Sequence, residues 1–241
     1  MIRTIITHTC PRCGSDQLVK NGHDYKGTQK FRCNACCRYG TLASKEPIRP
    51  VHHFVQQALT ERVSLRGLAR IFGLSRTTVS RWLEQTLVQV PPLAQTLVEG
   101  DWEDVLELDE LWSFVASKAQ PRWIWVALCR RTRQVVACVV GDRSEASALR
   151  LWEQLPSDYS RCQSFSDKWE AYRYVFDHKR HRQVNKDSGE TNHVERWFNT
   201  LRQRLSRFTR KTLSFSKRDD KHEAVLRLFL HRYNSACISH V

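Results

Sequence analysis

Three carboxylates in the second half of the chain, Asp109, Asp167 and Glu195, stand in the segments VLELDELWSFV, SRCQSFSD and NHVERWFNTLRQRL. A strand, a strand end and a helix would bring them together, and such a cluster would hold divalent metal against a phosphodiester. Four thiols near the start form a second constellation. Cys10 and Cys13 make one CxxC and Cys33 and Cys36 another, with 19 residues between the pairs. Each CxxC turn points two thiolates at one ion, and four soft ligands complete the shell of a closed, structural Zn2+ site. Residues 17–20 and 30–32 between the pairs are expected as two short strands joined through a Gly-containing turn, the layout of a zinc ribbon. A module this small needs its ion for stability. Ring closure favours Cys36 over the adjacent Cys37, which is then a spare thiol.

The elements that position the carboxylates follow from periodicity. Residues 105–115, 122–130 and 134–141 read as three strands, the last two almost wholly apolar and so central in a sheet. Short turns between them imply an antiparallel meander. Ser144 is expected to cap a helix reaching Leu155, and residues 161–166 to form a strand ending at Asp167. From 191 to 210, Val194, Trp197, Phe198, Leu201, Leu205 and Phe208 make an apolar stripe at helical spacing, with Asn192, Glu195, Asn199 and Arg202 on the neighbouring polar stripe. Glu195 would look towards the two aspartates, with Asn199 and Arg202 one and two turns on, within reach of phosphate. His193 is placed either to assist the site or as a solvated helix residue. Alternation puts Glu107 on Asp109's face, as a candidate secondary ligand, and Glu110 on the opposite face. Asp142 and Asp158 fall in turn-like settings and read as loop residues. The order β-β-β-α-β-α is that of a ribonuclease-H-like α/β fold, in which an acid in the middle of the first strand and one at the end of the fourth lie side by side.

The stretch LRGLARIFGLSRTTVSRWLE reads as a helix-turn-helix, with Gly73 in the turn, Ser75 as N-cap, and Leu68, Phe72, Leu74, Val79 and Trp82 facing inward. Its second helix would present Arg76, Thr77, Ser80 and Arg81 to a major groove. Pro91, Pro92 and Gly100 mark a linker. The expected division is therefore a zinc ribbon over 1–46, an all-α helix-turn-helix domain over 47–90, a linker over 91–103, and a catalytic domain with basic C-terminal helices over 104–241.

The chain has 241 residues, 41% hydrophobic content and a net charge of +14, which suits a globular protein with a polyanionic partner. The charge is unevenly spread. Residues 1–100 carry 14 basic against 6 acidic residues, residues 101–177 carry 10 against 13, and residues 178–218 carry 12 against 3. The last block holds Arg204, Arg207, Arg210 and Lys211, where FTRKTLSFSK interleaves cations with aromatics as a DNA-backbone or single-strand surface would. The start does not resemble a secretory signal, and no apolar run reaches the ~20 residues of a membrane span. Nine cysteines then read as metal ligands and buried thiols of a cytoplasmic protein.

Taken together, the two CxxC pairs, the helix-turn-helix pattern, LDELW, SDKWEAY, HVERWFNTLRQRL and RKTLSFSKR resemble the IS1-family transposases, which are DDE recombinases. The resemblance implies a polynucleotidyl transferase that binds the terminal inverted repeats of an insertion sequence and cleaves and joins DNA with Mg2+, with Mn2+ as a substitute. It implies Asp109, Asp167 and Glu195 as the catalytic triad and Mg2+ ligands, and Arg202 as the basic residue seven positions after the glutamate. Double-stranded DNA at the element ends and target, and a second copy in a homodimer or higher homo-oligomer, are the expected partners in a bacterial or archaeal nucleoid. In that family the two parts are usually encoded in overlapping frames, whereas here they are continuous. Two other readings compete. A zinc-dependent regulator would explain the head but not the carboxylates, and a structure-selective nuclease would hydrolyse DNA without joining a 3′-hydroxyl.

Overall fold

A computed structural model describes residues 8–25, 27–42, 49–177 and 179–238. The chain divides into two compact units, residues 1–52 and 53–241.

The first unit is built on three antiparallel strands, β1 (Leu18–His23), β2 (Gln29–Cys33) and β3 (Tyr39–Thr41), in the order β1-β2-β3. The turn between β1 and β2 is closed by the Asp24 side chain, which accepts from the Thr28 N–H at 2.8 Å. Gly27, at φ 79°, supplies the left-handed residue that the turn requires. Cys10 and Cys33 are the buried apolar residues here among those described. A sheet with so little apolar burial needs a cross-link to stay folded.

The second unit contains all the remaining elements from residue 53 on. Helix α1 (Arg49–Ala58) leads to α2 (Leu65–Ile71) and α3 (Arg76–Gln89). Ser64 and Ser75 cap α2 and α3, accepting from the N–H of Gly67 and Thr78 at 3.0 and 3.1 Å. Gly73, at φ 63°, makes the turn between them, and Val55, Leu68, Val79, Trp82 and Leu83 are the buried apolar contacts of these helices.

Residues 91–103, expected as a linker, are built into the unit. Gln134 donates to the Thr96 carbonyl and accepts from the Val98 N–H, at 2.7 and 2.8 Å. Asn234 donates to Thr96 Oγ1 at 3.0 Å, and Tyr159 OH donates to the Val98 carbonyl at 2.8 Å. The prolines and glycine there break regular structure, but side-chain amides supply the missing hydrogen bonds.

The main sheet has the order β6-β5-β4-β7-β8, from β4 (Val105–Phe114), β5 (Pro121–Cys129), β6 (Val135–Gly141), β7 (Gln163–Ser166) and β8 (His181–Gln183). β4, β5 and β6 form the expected antiparallel meander, while β7 lies parallel to β4 and β8 parallel to β7. β5 is apolar on both sides because both faces of the sheet are covered. On one face, α4 (Glu145–Glu153) and α5 (Glu170–Val175) close a core of Leu106, Leu108, Trp125, Leu151 and Tyr172. On the other lie α6 (Asn192–Arg204) and the long α7 (Asp219–Ile238), joined by the Trp197–Phe229 ring contact at 6.1 Å. α6 is shorter than the stripe suggested. Leu205 turns extended and Ser206–Phe208 form a separate 3-10 turn, which lets Phe208 pack at 4.6 Å against buried His222 of α7.

Candidate active site

The site lies where the parallel ladder between β4 and β7 stops. The last register pair is Leu108 with Ser166, so the next residues, Asp109 and Asp167, emerge side by side. Among the described residues β4 has no strand partner on its β7 side from Asp109 to Phe114, and the next bridge is Val115 with Ser216. A cleft of about 480 Å³ opens there, lined among others by Asp109, Asp167, Glu195, Asn199, Arg202 and Arg210. All three carboxylates singled out in the sequence therefore share one cavity.

Carboxylate oxygens of Asp109, Glu110 and Asp167 lie within 4.8 Å of one another, and Glu195 faces them from α6 across the cleft. Glu110 does sit on the opposite face, where Tyr172 OH donates to it at 3.0 Å and Arg143 Nε at 2.8 Å. It reaches the cluster all the same because the strand edge is open there. Arg143 is itself clamped between Trp169, at 3.9 Å, and Trp123, at 4.5 Å. Periodicity could not show this support. Trp169 and Tyr172 of SDKWEAY were the only sequence signal of it.

Burial raises the carboxyls of both Asp109 and Glu110. Burial, then the charge on Glu110, with smaller contributions from Asp167 and Glu195, pushes the Asp109 carboxyl up to about 7. Its hydrogen-bond support is the Glu110 N–H at 2.8 Å. Oxygen ligands of Mg2+ at about 2.1 Å are at most roughly 4.2 Å apart. A cluster this tight and this negative fits a hard divalent cation after small side-chain rotations.

Glu107 is not part of that cluster. It is fully buried, accepting from Arg130 Nε at 2.8 Å and from the N–H groups of His193 and Val194 at 2.8 and 3.1 Å, and pairing with His193 Nδ1 at 2.6 Å. It thus caps the start of α6, the helix that carries Glu195, instead of serving as a secondary ligand. His193 is accordingly held by Glu107 and is not among the residues lining the cleft. Asp142 belongs to a turn, accepting from Ser147 Oγ at 2.6 Å at the start of α4.

The cationic residues divide into two groups. Arg202 and Arg210 line the cleft, and the Arg202 Nε is buried with no hydrogen-bond partner, its pKa lowered by burial and then by Arg210. Arg210 and Lys211 are exposed. Arg204, by contrast, pairs with Glu61 and lies over the Phe229 ring. Arg207 donates to the Lys221 carbonyl at 3.1 Å, and burial lowers it to about 10. Both were expected on a DNA surface; here both are half-buried, each with a partner within the fold. On α3, Arg76, Thr77 and Arg81 are exposed and Ser80 is half-buried.

In the first unit, the sulfurs of Cys10, Cys13, Cys33 and Cys36 lie within 4.8 Å of one another, with Cys10–Cys36 and Cys13–Cys33 each at 3.6 Å. Four thiolates about 2.3 Å from one Zn2+ would be about 3.8 Å apart. Backbone N–H groups of Arg12 and Cys13 favour the Cys10 thiolate, lowering it to about 6. Cys37 is exposed and outside the group.

A mixed α/β unit with this cleft fits the catalytic domain of a DDE enzyme. The family profile described as "IS1 transposase" matches residues 105–235, and a zinc-ribbon profile described as "InsA N-terminal domain" matches residues 4–37. Insertion element iso-IS1n protein InsB of Shigella dysenteriae is 35% identical over 134 residues, spanning 54% of this chain and 95% of that protein. Insertion element IS1 protein InsB of Escherichia coli is 35% identical over 162 residues, 65% of this chain and 95% of that protein. This chain belongs to the IS1 transposase family. The zinc-ribbon match and the four clustered thiols support a structural zinc site in its first unit. Among the described residues no helix is long and apolar enough to cross a membrane.

Proposed function

We propose that this transposase binds the terminal inverted repeats of its element and carries out Mg2+-dependent strand cleavage and strand transfer at the Asp109, Asp167 and Glu195 cleft. The observation that carries the reading is the emergence of Asp109 and Asp167 side by side past the last β4–β7 pair, with Glu195 on the same cavity. The strand order and the helices on both faces support a ribonuclease-H-like reading of the fold, and the capped α2–α3 pair with its glycine turn supports a helix-turn-helix.

Asp109 and Asp167 would hold Mg2+, with Glu195 completing the set from α6. Bound there, the metal supplies Lewis-acid activation of water or a 3′-hydroxyl and stabilises the leaving oxygen. Glu107 keeps α6 at the angle that brings Glu195 to the cleft. Arg143, held by its two indoles, fixes the Glu110 carboxylate beside the aspartates. Arg202 and Arg210 draw the phosphodiester in, and the unpartnered Arg202 Nε is a donor awaiting a phosphate oxygen. Exposed Arg76, Thr77 and Arg81 of α3 read the element end, and the zinc ribbon adds affinity for it. Two ends must be held together, so the active form is a dimer or larger.

The test is Mg2+-dependent cleavage and joining of duplexes carrying the sequences that flank this reading frame. Wild type is expected to do both, and Asp109→Ala neither, while still binding. Specific binding without chemistry in either protein would make the chain a regulator, and cleavage without joining would make it a nuclease.

A further inference from the structure

The basic segment after α6 interleaves cations with aromatics, but the structure sorts these side chains differently from a stacking platform. Phe208 is buried beneath His222, and Phe215 packs on Phe114 of β4 at 5.5 Å, so neither ring is free to receive a base. The side chain left outside is Leu213, at 99% exposure.

Its setting is not that of an incidental surface leucine. Both limbs of the loop are fastened. On one side Phe208 anchors the chain. On the other, the Ser216 carbonyl accepts from the Ala116 N–H at 2.8 Å, and the Ser216 hydroxyl pairs with His222 Nδ1 at 3.2 Å. Between these anchors Arg210, Lys211 and Leu213 are exposed, and exposed Lys217 follows directly after Ser216. Arg210, three residues before Leu213, lines the carboxylate cleft. A firmly based loop, cationic on its flanks and apolar at its tip, has the make-up of a DNA wedge: cations hold the phosphates while an aliphatic side chain enters a base step and unstacks it.

We infer that Leu213 inserts into the base stack of the element end beside the scissile phosphodiester. This rests on the transposase reading above and adds to it the way in which the end is opened. Three residues of chain span at most about 10 Å. With the reach of the two side chains added, and at about 3.4 Å per base step, the disturbed step lies within about six base pairs of the phosphate held at Arg210. Opening the duplex there would free the terminal strand to bend into the cleft.

The experiment uses the full chain and duplexes carrying the flanking sequence, with 2-aminopurine placed singly at successive positions from the cleaved bond. Wild type should raise the fluorescence within about six base pairs of the bond and not beyond. Leu213→Ala should bind but abolish that rise and cut about tenfold more slowly, and a mismatch at the same step should restore its rate. Asp109→Ala should keep the rise while cutting nothing. Equal fluorescence and rate in wild type and Leu213→Ala would overturn the wedge and leave the transposase reading intact. If wild type neither binds nor cuts these duplexes, the transposase reading falls and the wedge with it. If Leu213→Ala is a monomer where wild type is a DNA-free dimer, Leu213 contacts a second copy instead and the wedge is overturned.

Discussion

Glu107 and Asp109 stand two residues apart on β4, facing the same helix, and the fold treats them in opposite ways. Glu107, wholly buried, meets Arg130, the His193 ring and two N–H groups at the start of α6. Asp109 meets one N–H and three other carboxylates. A buried carboxylate supplied with donors is part of the framework, since its charge is matched wherever the chain is folded. One surrounded by its own sign costs stability until something positive arrives. Charge balance, more than burial or position on the strand, separates the residue that holds the start of α6 from the one that lines the cleft.

The largest expected effect comes from removing the balanced acid. Glu107→Ala would leave Arg130 with Glu190 as its remaining acidic partner and uncap α6, lowering stability by about 3 kcal/mol in urea denaturation, whereas Glu107→Gln keeps an acceptor for the helix and loses less. A neutral Glu107→Ala would end the comparison.

His222 shows a third solution, in which a buried group gives up its charge. Burial, then Arg207, lowers it to about 4 from an ordinary value of 6.5. A lowered folded-state pKa means stability present above pH 6.5 and lost as pH falls towards 4, a loss of about 3 kcal/mol. His222→Gln should flatten that slope. An unchanged slope would show that His222 is charged or exposed in solution.

A smaller effect of opposite sign is expected at Asp109. Its carboxyl is raised, so in metal-free protein the ionised form costs most above pH 7 and nothing below about 4. Asp109→Asn should therefore stabilise the metal-free protein at pH 8 by about 2 kcal/mol, discounted for the open side of the cleft, with the gain disappearing in acid. Destabilisation at pH 8 would mean that Asp109 is compensated like Glu107.

Much of this was legible in residue types and spacing. The CxxC pairs, the three strands of the meander, the strand ending at Asp167 and the apolar stripe of α6 all reflect local periodicity or ligand spacing, which a chain carries in its own order. What was not legible depends on neighbours distant in sequence. Glu107 reads as a possible ligand until α6 is known to begin against it. Glu110 reads as facing away until β7 is known to stop at Ser166 and leave an edge open. Arg204 and Arg207 read as a basic face because their partners, Glu61 and the Lys221 carbonyl, lie outside the segment. The segment over 91–103 reads as a linker because its hydrogen-bond partners, Gln134, Tyr159 and Asn234, lie far along the chain.

The central claim is that the unbalanced cluster, and not its balanced neighbour, receives the cation. Calorimetric titration of the DNA-free protein with Mn2+ would test this most directly, comparing wild type, Asp109→Asn and Glu107→Gln. Binding by wild type and Glu107→Gln, with loss in Asp109→Asn, is the expected result. Undiminished binding by Asp109→Asn, or its loss only in Glu107→Gln, would contradict the account.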